Sequence, residues 1–158
     1  MPKPLLTFMK RIIPLVSILP LAASQNAHAT EPVKKPNVII IYADDLGYGD
    51  LECYGAKNVK TPNVNRLAKE GIRFTNAHAV AATSTPSRYS LLTGEYAWRK
   101  PDTDVAAGNA GMIIRPTQYT MADMFKSAGY ATGAFGKWHL GDYGEYLPTN
   151  QGFDYFYG

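Results

Sequence analysis

The segment Asn37-Val38-Ile39-Ile40-Ile41-Tyr42 is a continuous apolar, β-branched run that ends abruptly at Asp44-Asp45. A strand with one face in water alternates apolar and polar residues. An unbroken run is what a strand covered on both faces requires. The segment therefore calls for a sheet with other layers packed over it. The rest of the chain supplies the pieces: strands that alternate with helices, an α/β pattern.

Thr61 and Pro62 read as the N-cap and first position of a helix with Val64, Leu67 and Ala68 on one face and Gly71 as its stop. Residues 72–77 read as a short strand, and Pro86 to Thr93 as a helix closed by Gly94. Residues 99–116, with two glycines and two prolines, read as a loop. Thr120 caps a further helix in which Met121, Met124, Phe125 and Ala128 repeat at helical spacing before Gly129. Residues 130–135 read as the next strand, leading into Gly136-Lys137-Trp138-His139. The aromatic stretch from Gly152 to Gly158 shows no cap and no polar close. About three strands cannot make a sheet covered on both faces. The expectation is the opening part of a larger domain, too small alone to fold stably or to catalyse at a useful rate.

The formal charge of +3 arises in the first 29 residues, where Lys3, Lys10 and Arg11 meet no acid; the remainder is formally neutral. Nothing in that balance suggests nucleic-acid binding. The same 29 residues have the layout of an export signal. A basic start precedes an apolar stretch from Ile12 to Ala23, and Ala27-His28-Ala29 offers small residues before Thr30. The apolar stretch is too short for a stable membrane anchor. The expected organisation is a signal peptide over 1–29, a linker over 30–36 and the N-terminal part of a catalytic domain over 37–158. The destination is the periplasm or the exterior. Cys53, the single cysteine, excludes an internal disulfide framework and a multi-cysteine zinc module.

Three clusters carry chemistry. Asp44 and Asp45 follow a strand, where open α/β sheets gather ligands and where carboxylates suit a hard divalent cation; two acids in such a place also serve as turn or capping residues. Ser84-Thr85-Pro86-Ser87-Arg88 reads as an ordinary helix start. It also reads as an anion site with Arg88 one turn along. Lys137 and His139, two apart after a strand, point the same way if the extended conformation continues, offering a cation and a proton carrier. Alone, either is an unremarkable surface or core residue.

Together these segments resemble the N-terminal part of a type I sulfatase of the alkaline-phosphatase-like superfamily. The resemblance runs through PNVIIIYADDLGYGD, TPNVNRLAKEGIRFTNAH, STPSRYSLLTG, GKWHLG and QGFDYFYG. Ser84 to Gly94 fits the family signature, [CS]-x-P-S-R, then four residues and T-G. The implied fold is a central mixed sheet flanked by helices, incomplete in this chain. The implied activity is hydrolysis of aryl or carbohydrate sulfates in the full-length parent.

By this resemblance Asp44 and Asp45 match calcium ligands, with magnesium as the alternative ion. Ser84 matches the residue converted to Cα-formylglycine, itself a further metal ligand. Arg88 matches the arginine that holds that residue, and Lys137 and His139 match the pair that binds sulfate and the hydrated aldehyde. A serine attacking sulfur would be left as a stable sulfate ester, whereas a gem-diol can collapse to the aldehyde and expel sulfate by C–O cleavage. His139 is the candidate base for that collapse. Serine at position 84 implies a serine-type maturase acting before export, so the expected partners are that maturase, the export machinery and a sulfated small molecule or glycan. The alternatives are a phosphomonoester or phosphonate hydrolase on the same fold, and an inactive truncated chain.

Overall fold

The computed structural model describes residues 34–158. The expected signal peptide, and most of the linker, lie outside the described residues. The chain divides into two units, Met1–Ile40 and Ile41–Gly158. The described part of the first, residues 34–40, is exposed and without regular secondary structure. All α-helices and strands among the described residues belong to the second: α1 (Pro62–Glu70), α2 (Ser84–Thr93), α3 (Met121–Ser127), β1 (Gly133–Phe135) and β2 (Tyr155–Tyr157). None of these helices is long and apolar enough to cross a membrane.

Helices α1 and α3 begin where a hydrogen-bonding residue holds the first turn. At α1 the Thr61 hydroxyl accepts from the Glu52 amide at 3.0 Å. The Glu52 carboxylate reaches back to the Thr61 amide (2.7 Å) and the Asn65 side-chain amide (2.8 Å). A carboxylate over free amides at a helix start is favourable. The hydrogen bond from Thr61, with a further one from Lys60, holds the Glu52 carboxyl below its usual range. At α3 a reciprocal capping box forms. The Thr120 hydroxyl accepts from the Asp123 amide (3.2 Å), and the Asp123 carboxylate accepts from the Thr120 amide (2.9 Å). Helix α2 ends at Gly94, whose φ of 69° is the left-handed conformation that closes a helix.

The core lies around α2. Tyr89 and Leu92 pack with Ala97, Ile113, Ile114 and Leu140, and Met121, Trp138 and Phe153 close in from the side. The Tyr89 hydroxyl is fully enclosed and donates to Glu95 at 2.8 Å; burial raises its ionisation above the ordinary phenol value. Strands β1 and β2 pair in parallel, with Gly133 opposite Tyr155, Ala134 opposite Phe156 and Phe135 opposite Tyr157. Thr132 and Asp154 fasten this pair at its start. The Asp154 carboxylate accepts from the Thr132 amide at 2.9 Å and meets Lys126 of α3 at 2.8 Å.

Several sequence expectations need correction. Residues 37–42 and 72–77 form no strand, because among the described residues no neighbouring strand pairs with them. Ile39, Ile41 and Ile72 stand exposed. The strand expected over 130–135 is confined to its last three residues, the part that meets β2. Helix α2 begins two residues before Pro86, which sits in its first turn. The apolar face of α1 is uncovered, with Val64 and Leu67 exposed, and α3 buries Ala122 in place of Met124.

Candidate active site

The extended backbone of Thr83 (φ −116°, ψ 161°) delivers Ser84 to the first position of α2. Arg88 follows one turn later on the same side, and its Nε donates to the Ser84 hydroxyl at 2.8 Å. The guanidinium then spends its other nitrogens on two more groups. Nη1 donates to the Lys137 carbonyl at 2.5 Å, and Nη2 lies 3.3 Å from Asp44 Oδ1. Lys137 Nζ donates to the other oxygen of the same carboxylate at 2.7 Å. The Tyr42 ring lies beside the guanidinium, 5.8 Å from its centroid.

Ser84, Arg88, Lys137 and Asp44 thus form one network drawn from three distant parts of the chain. The hydrogen bond from Lys137, helped by Arg88, holds the Asp44 carboxyl below the usual carboxylate range. Asp44, Asp45, Ser84 and Ser87 line a half-open cleft of about 240 Å³, walled by Tyr42 and Thr83. Asp45 takes a left-handed conformation (φ 55°) beside Asp44, a setting that aspartate tolerates better than most residues.

His139 departs from expectation. Gly136 (φ 97°) and His139 (φ 59°) break the extended conformation after β1, so Lys137 and His139 do not share a direction. Lys137 turns to Asp44, while the His139 ring turns to the loop at Ala106, with Nε2 2.9 Å from the Ala106 carbonyl oxygen. The structure joins Ser84, Arg88, Lys137 and Asp44 in one network, sets Asp44, Asp45 and Ser84 along one cleft, and leaves the His139 ring on a separate set of contacts.

The sulfatase family model matches residues 36–158. The chain belongs to the sulfatase family. Among its relatives is the N-acetylgalactosamine-6-O-sulfatase of Bacteroides thetaiotaomicron, 55% identical over 132 residues, which span 77% of this chain and 26% of that protein. Human arylsulfatase G is 45% identical over 125 residues, 79% of this chain and 24% of its own length. A solved structure from work on glycosaminoglycan metabolism by Bacteroides thetaiotaomicron superposes with a TM-score of 0.73 at 55% identity, over 77% of this chain and 28% of that one. Another, solved in complex with k-i-k-neocarrahexaose, gives 0.67 at 38% identity, over the same shares. The chain therefore spans about a quarter of the length of these sulfatases. Its fold is the α/β, alkaline-phosphatase-like fold of the family, represented here by the parallel β1–β2 pair and the helices around it.

Sulfatase chemistry implies a divalent cation, and the donor set of the cleft fits one in kind. Asp44, Asp45 and Ser84 present hard oxygen donors to the same space. They amount to part of a shell, since no group of three or more His, Cys, Asp or Glu side chains gathers among the described residues. Sequence reasoning gave Thr85 no role beyond the helix start, yet it is fully buried between Ala106 and His139. Its contacts are made across 21 and 54 residues, and no local pattern announces them.

Proposed function

We propose that this chain supplies the residue-84 side of a site for hydrolysing sulfate esters, with sulfated carbohydrates as the substrate class. The observation that carries the reading is the Arg88 fork. It holds the Ser84 oxygen with one nitrogen, and ties Lys137 and Asp44 to the same place with two others. A planar guanidinium is suited to fixing several oxygens at once, where an ammonium would act only as a point charge. Arg88 thereby sets the direction from which the residue-84 oxygen approaches a sulfate. Lys137, half-exposed and paired with the cleft residue Asp44, would offer its charge to the anionic ester.

Asp44 and Asp45 would hold calcium, or magnesium in its place, together with residue 84. With residue 84 oxidised to Cα-formylglycine, a bound ion would offset negative charge, and a hydroxyl of the hydrated aldehyde would be the nucleophile able to release its own sulfate. The substrate class follows the relatives, one named for N-acetylgalactosamine sulfate and another crystallised with a neocarrahexaose. A serine-type maturase and the export machinery would be the partners that bring the chain to this state outside the cytoplasm.

The decisive measurement is mass spectrometry of the peptide carrying Ser84, after expression with a serine-type maturase. The expected result is a loss of about 2 Da, the two hydrogens of alcohol oxidation. Intact serine in a preparation that still hydrolyses sulfate esters would overturn the reading.

A further inference from the structure

Three segments meet at a closed ring of hydrogen bonds that the Ser84 network does not use. The Thr85 hydroxyl accepts from the Ala106 amide at 3.0 Å and donates to the His139 carbonyl at 3.3 Å. The Ala106 carbonyl in turn faces His139 Nε2 at 2.9 Å. Thr85 is completely enclosed, so no water competes for its hydroxyl. The ring clasps His139 by its backbone and its imidazole together. It does so at a residue whose φ of 59° is costly for a side chain with a Cβ.

We propose that Thr85 is a positioning residue that, through the Ala106 peptide, fixes His139 as the tautomer with hydrogen on Nε2 and a lone pair on Nδ1. A carbonyl oxygen can only accept, so the nitrogen facing Ala106 carries the hydrogen. The neutral ring then has its basic lone pair on Nδ1. That atom is buried and has no hydrogen-bond partner among the described residues. A buried polar atom without a partner is costly and calls for a reason. On the sulfatase reading, a lone pair kept free on Nδ1 is what a base at His139 would need. This use of His139 rests on the sulfatase reading; the clasp itself does not.

The test reads the tautomer directly, without catalysis. Imidazole nitrogen shifts of the full chain are recorded above the titration of the ring, for the wild type, Thr85→Ser and Thr85→Val. The wild type and Thr85→Ser should show the Nε2–H form and slow exchange of the Ala106 amide. Thr85→Val, which keeps the shape and loses the hydroxyl, should shift the tautomer ratio by roughly fivefold, the bias of one neutral hydrogen bond, and expose the Ala106 amide. An unchanged ratio in a folded Thr85→Val overturns the proposal. So does an Nδ1–H tautomer or a fast-exchanging Ala106 amide in the wild type, a result that stands even where Thr85→Val does not fold. None of these outcomes depends on whether Ser84 is oxidised, so the clasp and the sulfatase reading fail separately.

Discussion

Phe135 and Tyr157 sit opposite one another in the β1–β2 register and are 78% and 80% exposed, with Tyr155 beside them. Among the described residues no third strand pairs with β1 or β2, so this pair, with its aromatic face, is a template for another copy. Covering a large apolar side chain fully is worth about 1.5–3 kcal/mol. Hiding about four-fifths of each ring in a contact between copies is then worth roughly 2–5 kcal/mol. That is a factor of about 50 to 3,000 in the association constant. The double variant Phe135→Thr/Tyr157→Thr keeps strand-forming residues at both positions and should weaken self-association by that factor. Sedimentation velocity over a concentration series measures it, with Trp98→Thr as the comparison, since Trp98 is 73% exposed and lies outside the sheet. If Trp98→Thr lowers association as much as the double variant does, the sheet face is not the cause and the reasoning fails.

The soluble double variant is the background for three further tests. Asp44 has its carboxyl pKa lowered by Lys137 and Arg88, so its stabilising contribution is complete above the ordinary value of 3.8 and disappears as pH falls through the lowered one. Asp44→Asn should accordingly flatten the acid limb of unfolding below about pH 4, measured by fluorescence against pH. Gly152 has φ 94°, and a Cβ there would lie 2.6 Å from Asp123 Oδ1 and 2.9 Å from the Asp123 amide nitrogen. Gly152→Ala should therefore lose more than about 1 kcal/mol in urea unfolding, while Gly49→Ala, with open space around it, should change stability by less than half as much. Secreted material from the unmodified chain should begin at Thr30 on N-terminal sequencing; a retained Met1 in that fraction would refute cleavage after Ala29.

The helices were legible because their signals are local. Thr61-Pro62, Gly94 and the capping Thr120 each act within one turn, and each marks an observed boundary. The strands were less legible because a strand is defined by its partner. Residues 37–42 have the composition of a buried strand and no pairing, whereas the less conspicuous Tyr155–Tyr157 pairs with β1. In the cleft, residue types gave the cast and not the contacts. The i to i+4 spacing of Ser84 and Arg88 foretells their hydrogen bond, but nothing local says that Lys137 will reach Asp44 across 93 residues. The left-handed turn at His139 reversed the direction expected of its ring, and it depends on Thr85 and Ala106, neither adjacent in sequence.

The Arg88 fork also sets a timetable. Its carbonyl partner, Lys137, lies 49 residues further along the chain. At about 5–20 residues per second of synthesis, roughly 2 to 10 seconds pass between the appearance of the two. Throughout that interval the lock over Ser84 lacks its later half, and the segment around it is open to any enzyme that must grip extended peptide. Once Lys137 arrives and the fork closes, Ser84 has its oxygen engaged on a formed helix. If Ser84 is modified as proposed, the growing chain would be the better substrate and the folded chain the poorer one.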